Sequence, residues 1–200
     1  MTQLQITYPP GATPLDPDEL AGLIPDYITT QGELNELEQK NIEQAVIWLR
    51  RRRPSDPLDL GFIYELHKQM FNQVWKWAGK TRTSEKNIGI NWHQISTQVA
   101  ELSANTKYLL EHKRYSLDEI AARFHHRLVQ IHLFSNGNGR HARLITDLLI
   151  ESNGSTAFTW GKGKGSAHME TEGPRRDEYI AALKEADQNS FELLLAFVRS

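Results

Sequence analysis

Apolar residues recur at helical spacing along almost the whole chain, in short runs separated by glycine, proline and asparagine. Ile42, Ala45, Val46 and Leu49 fall at i, i+3, i+4 and i+7, the stripe of a helix with one face turned to a core. Arg50 to Arg53 follow before Pro54 stops the run. Cations at a helix C-terminus complement its dipole, a stronger reading than a nucleic-acid patch. Ile63, Leu66, Met70, Val74 and Trp77 predict a second helix over about Asp59 to Trp77, with Trp75 and Trp77 in the core. Ile95, Val99, Leu102 and Leu109 carry a third. Ser116-Leu-Asp-Glu119 has the form of a capping box, and Ile120, Phe124, Leu128 and Ile131 continue the buried face of the helix it opens. Another helix begins near Gly139, carries Leu144, Ile145, Leu148 and Leu149, and stops at Asn153-Gly154. Two more are expected around Arg175–Asp187 and Ser190–Arg199. Only Gly79 to Trp92 loses the period, and its isolated β-branched residues among Thr, Asn and Gly suit a short irregular hairpin. The expected class is all-α, a helical bundle with one short β-hairpin.

Composition narrows the function. With 200 residues, 39% hydrophobic and 24% charged, the chain can bury a real core. Its 23 Lys+Arg against 25 Asp+Glu argue against a general nucleic-acid binder. Zero cysteines exclude disulfide frameworks, thiolate zinc sites and cysteine nucleophiles. Residues 1–20 have no basic segment followed by an apolar one, and no run approaches about eighteen apolar residues. A soluble, cytoplasmic protein with no membrane partner is therefore expected. Up to about Ile28 the Pro-, Gly- and Asp-rich sequence reads as an extended arm.

The chemistry lies in His132-Leu-Phe-Ser-Asn-Gly137-Asn138-Gly139-Arg140-His-Ala-Arg143, a polar, glycine-punctuated loop between two apolar-striped helices. Gly137 and Gly139 can take positive φ and leave the backbone uncovered. Amides at the start of the next helix then make an anion site, and Arg140 and Arg143, at i and i+3, share one face of its first turn. Guanidinium forks suit phosphate oxygens. His132, at the other lip, is the group suited to taking a proton near neutral pH. A proton acceptor beside a polyphosphate cradle suggests transfer of a phosphorus-containing group to a hydroxyl.

This segment resembles the signature of Fic-domain proteins, His-Pro-Phe-x-(Asp/Glu)-Gly-Asn-Gly-Arg-x-x-Arg. VWKWAGKTRT, the stretch before His93 and the terminal RRDEYIAALKEADQ with LLLAFV extend the likeness. At a finer level the chain resembles the branch labelled mobile mystery protein B. The resemblance implies a six-to-eight-helix core over residues 58–200, with residues 1–57 as an N-terminal arm and helix. It also implies a protein adenylyltransferase moving AMP from ATP to a Ser, Thr or Tyr hydroxyl. By motif position His132 is the general base and Phe134 the loop's anchor in the core. Gly137, Asn138 and Gly139 hold the phosphates, with Arg140 and Arg143 on the β- and γ-phosphates. The hairpin around Thr83, Ile88, Gly89 and Ile90 is the flap that lines up a target segment by strand addition.

Two positions depart from the pattern. Leu133 replaces Pro. Asn136 replaces the acidic residue that coordinates Mg²⁺ in the family, and a neutral amide oxygen gives an ion no charge compensation. The implied cofactors are ATP as substrate and Mg²⁺ or Mn²⁺; the partner is a protein target with a modifiable hydroxyl, and a homodimer stays open. Asn136 keeps three alternatives in play: a Doc-like kinase, a transferase using another nucleotide donor, and a catalytically weak interaction module.

Many relatives are restrained by a helix bearing Ser/Thr-x-x-x-Glu-Gly/Asn, whose Glu pairs with the second motif arginine. Thr29-Thr-Gln-Gly-Glu33 matches its first part, with Leu34 departing, so Glu33 is a candidate to pair with Arg143. The other reading is a helix start with Thr as cap and Glu in the first turn. Elsewhere, GKGKGS at 161–166 fails as a P-loop because Lys164 is followed by Gly165. His125, His126, His132 and His141 lack zinc-ligand spacing, and a helix-surface placement is expected for them.

Overall fold

A computed structural model of the chain describes residues 14–52, 56–161 and 173–200. Arg53, Pro54, Lys162 and Lys164 lie outside the described residues. The described chain is built of α1 (Pro17–Leu20), α2 (Gln31–Arg52), α3 (Leu60–Phe71), α4 (Ile95–His112), α5 (Leu117–Ile131), α6 (Asn138–Ser152), α7 (Pro174–Asp187) and α8 (Glu192–Arg199), with a 3₁₀ turn at Trp92–Gln94 leading into α4. The fold is thus the expected all-α bundle.

Caps explain several boundaries. Thr30 Oγ1 accepts the Glu33 amide at 3.3 Å, and Glu33 Oε2 accepts the amides of Thr29 at 2.9 Å and Thr30 at 3.0 Å. This reciprocal exchange starts α2. Ser116 Oγ likewise accepts the Glu119 amide at 3.2 Å, but the Glu119 carboxylate turns to Arg123 instead of closing the box.

One expectation fails at the end of α3, which stops at Phe71 and not near Trp77. The arm competes for the backbone beyond it. Ile24 N donates to Val74 O at 2.9 Å, Lys76 N donates to Gly22 O at 2.9 Å, and Leu23 and Trp75 form an isolated antiparallel bridge. The chain after Phe71 therefore passes through turns in which residues 74–76 are tied to the arm, while Trp75 still buries its ring.

The hairpin is the second correction. Between Thr83 and Ile90 the described chain is an irregular loop without a strand ladder. The Arg82 guanidinium takes up the carbonyls of Ser84 (Nη1, 2.8 Å) and Ile90 (Nη2) that a ladder would have paired with amides.

α5 and α6 pack side by side at the centre, with α4 and α8 against α5, α3 against α6, and α2 against α3. Two apolar clusters result. The larger joins residues of the arm, α2, α3, α4, α5 and α6; the smaller joins parts of α5 and α6 to α7, α8, Phe158 and Trp160. Val129 packs against both.

Candidate active site

The turn from α5 to α6 is where the motif residues meet. α5 ends at His132, which takes a left-handed conformation, φ 55°. Outside glycine that region is sparsely used and costs about 1–3 kcal/mol, so the surroundings must hold it. Arg82 supplies that hold. Its Nε donates to His132 O at 2.7 Å, its Nη2 reaches Ile131 O at 3.5 Å, and its own amide donates to Leu133 O at 3.0 Å. A cation on the last carbonyls of a helix also meets the negative end of its dipole.

The His132 ring is buried, and burial, then the Arg82 charge, then that of Lys86, push its pKa down to about 4. At neutral pH the imidazole is therefore unprotonated and able to accept a proton. Arg82 is the residue at this turn that sequence reasoning passed over; its one signal is an arginine in a stretch otherwise suited to a loop.

Beyond His132 the loop is fixed from below. Phe134 is buried and stacks on His67, ring centroids 3.6 Å apart. His67 Nδ1 accepts the Gly79 amide at 3.0 Å, which leaves Nε2–H to donate to Asn136 O at 3.0 Å. The Asn138 side chain turns inward as a staple, accepting the Phe134 amide at 2.9 Å and donating to Phe134 O at 2.7 Å. Of Asn138, only the backbone amide is left for the expected contact with an anion. Gly137 sits at φ 77°, and a Cβ there would stand 2.5 Å from Phe71 Cζ. Glycine is required twice over.

α6 then opens. Its first intrahelical bond runs from His141 N to Gly137 O at 2.9 Å, leaving the amides of Asn138, Gly139 and Arg140 outside the ladder. At Gly139 an added Cβ would lie 3.6 Å from Arg143 Nη1, an ordinary contact that places this residue beside the guanidinium. Arg143 lies over the Tyr179 ring at 5.6 Å, and Arg140 over Phe71 at 4.9 Å. Amides, two guanidiniums and a neutral imidazole thus lie within the single turn from 132 to 143, a set that suits a polyanion and a hydroxyl.

Asn136 differs from what a metal site needs. Its Oδ1 accepts the Gly137 amide at 2.6 Å, and no cluster of His, Asp or Glu able to hold an ion occurs among the described residues. The donor set does not build a metal centre belonging to the protein.

Of the residues expected to form a flap, Gly89 packs against His132. Thr83, Ile88 and Gly89 are exposed and Ile90 half-buried. Gly89, φ 107°, is so close that a Cβ would stand 2.8 Å from both Arg82 Nη2 and His132 Cβ. The outer side of the loop is fastened by Lys86, whose ammonium pairs with Asp16 at 2.9 Å and with Glu19. Ser84 Oγ donates to Asp16 Oδ2 at 2.6 Å.

Thr29 and Glu33 are not at the site. Glu33 is exposed and its carboxylate is spent on the α2 cap. The backbone donors hold that carboxyl below its usual pKa. A different acid of α2 arrives instead: Glu38 is buried, with Oε2 2.7 Å from Arg140 Nη1 and Oε1 accepting from Trp75 Nε1 at 2.6 Å. The two acids are five residues apart on one helix, and only the packing of α2 on α3 tells which reaches the motif.

The histidines expected on helix surfaces are buried. His125 Nε2 is bonded with the Tyr179 hydroxyl at 2.9 Å, His126 Nε2 with Asp187 at 2.8 Å, and His141 Nε2 donates to Ile63 O at 2.9 Å. Their apolar neighbours on α5 and α6 bury them, and the Nε2 of His125, His126 and His141 is hydrogen-bonded.

Fold and site together define a helical domain in which a helix start with open amides stands next in the chain to a buried histidine. Residues 57–150 match the sequence model of the Fic/DOC family. Among curated proteins it is 29% identical over 135 residues to Probable protein adenylyltransferase y4lH of Sinorhizobium fredii, covering 64% of this chain and 69% of that one. It is 24% identical over 173 residues to Protein adenylyltransferase VbhT of Bartonella schoenbuchensis, spanning 80% of this chain but only 34% of VbhT. Among solved structures, BepC of Bartonella tribocorum with bound AMPPNP aligns with a TM-score of 0.68 at 18% identity, over 92% of this chain and 97% of that one. Fic-1 of Caenorhabditis elegans aligns with a TM-score of 0.67 at 21% identity, over 90% of this chain and 51% of that one. The helical fold is thus shared, and no helix among the described residues is long and apolar enough to cross a membrane.

Proposed function

We propose that the chain is a protein adenylyltransferase that moves AMP from ATP to a Ser, Thr or Tyr hydroxyl of a protein, in the cytoplasm. The observation that carries this reading is the neutral, buried imidazole of His132 at the lip of the α6 amide row. The curated relatives named as adenylyltransferases support it. His132 takes the proton of the target hydroxyl as its oxygen attacks the α-phosphorus, and pyrophosphate leaves. Arg140, Arg143 and the amides of 138–140 stabilise the charge that grows on the leaving group. The chain supplies position and fixed positive charge, not a covalent intermediate. Mg²⁺ or Mn²⁺ enters as part of the ATP chelate, since Asn136 offers it one neutral oxygen. The flap holds the target segment over His132.

The N-terminal helix restrains this site through Glu38. Its carboxylate occupies Arg140, a guanidinium the phosphates need. Glu38→Gln keeps an acceptor for Trp75 Nε1 and removes the competing charge. It is expected to tighten ATP-analogue binding about threefold to tenfold, measured by calorimetry; unchanged affinity would make the pair a structural one.

A second reading, phosphate transfer to the target, is favoured by Asn136 in place of an acid. Labelled ATP separates the two. Incubation with a cell lysate and Mg²⁺ or Mn²⁺ is expected to leave protein-bound label from the α-phosphate, lost in His132→Ala. Label from the γ-phosphate alone would establish a kinase, and label from neither position would favour another donor or a binding module.

A further inference from the structure

We infer that Arg82 is a positioning residue for the transfer reaction, one guanidinium that sets the place of the base and of the target-docking flap together. The inference rests on the adenylyl-transfer reading above. Arg82 is 2% exposed, and its fork is divided between two groups of carbonyls. On one side stand Ile131 and His132, the last turn of α5 (Nη2 at 3.5 Å and Nε at 2.7 Å). On the other stand Ser84 and Ile90, the two ends of the flap. Its own amide adds Leu133 O at 3.0 Å.

The nearest carboxylate, that of Glu85, is 3.9 Å away and 59% exposed. The buried cation is therefore held chiefly by neutral carbonyl dipoles. A clamp that served stability alone could sit anywhere along the loop. This one closes on the backbone of the base, and Gly89 lies where an added methyl would press on Arg82 and His132 at once. A planar fork with five donors can span these acceptors, whereas an ammonium on a flexible stem cannot. Movement of the flap then moves His132 relative to the incoming hydroxyl.

Arg82→Lys in the full chain tests this. Hydrogen exchange is expected to speed up about tenfold or more in residues 84–90 and 131–133, with α3 unchanged. Affinity for a non-hydrolysable ATP analogue should stay within about twofold. The maximal rate of α-label transfer to the chain and to lysate proteins should fall about tenfold or more at unchanged half-saturating ATP, the signature of misplaced groups. Should Arg82→Lys fail to fold, Gly89→Ala keeps the guanidinium, pushes the flap outward and is expected to give the same pattern. Unchanged flap exchange, or exchange raised evenly through the molecule with transfer per folded molecule intact, would overturn the inference. If the wild type transfers no label, the adenylyl-transfer reading falls, and the exchange data alone decide on the clamp.

Discussion

Gly137 shows how narrowly single positions are specified at this turn. Its positive φ and the Phe71 ring 2.5 Å from any added Cβ act in the same direction, so Gly137→Ala is expected to cost about 2–4 kcal/mol. Thermal or urea denaturation of the pair of proteins checks the figure. The glycine was readable from the sequence because turns advertise themselves; the ring that forbids a methyl was not, since Phe71 is far away in the chain. Glu33 and Glu38 teach the same lesson. The cap at Thr30 and Glu33 is a local pattern and could be read directly. The burial of Glu38 against Arg140 depends on how two helices dock, and nothing in its neighbours announces it.

At the scale of elements, α2 is keyed to the end of α3 by Asn41. Its Nδ2 donates to Gln69 O at 2.9 Å, and its Oδ1 accepts the Gln73 amide at 2.9 Å. Asn41→Leu strands both backbone groups and is expected to cost about 2 kcal/mol, read as a lower urea midpoint with an unchanged slope. Helix positions were legible because apolar stripes and caps are local signals; α4, α5, α6 and α7 lie within a few residues of where the periodicity puts them. The end of α3 and the flap were not. In both, a distant group outbid the local preference: the arm for residues 74–76, and the Arg82 side chain for the carbonyls of Ser84 and Ile90.

Across the whole molecule, buried histidines set the response to acid. Burial pushes His125 to about 3 and His132 and His141 to about 4, and His67 well below its usual value. The unfolded chain takes up these protons first, near pH 6.5. Stability is therefore full above that pH and is lost as pH falls from 6.5 toward 4, by about 2 kcal/mol per histidine at pH 5. Melting temperatures measured from pH 7.5 to 5 should drop steeply below 6.5. A flat profile would mean that the imidazoles open to water without unfolding. Transfer that depends on neutral His132 should survive to about pH 5 for as long as the fold does. The seam between the arm and the residues after α3 has a consequence of its own. Leu23 meets Trp75, Trp77 Nε1 donates to Glu19 O at 3.0 Å, and Trp75 Nε1 ends on Glu38, so the tryptophans take their partners from before residue 57. Chain cut at that point should yield two pieces that are insoluble apart and regain the fold when mixed, as complementary halves of one body.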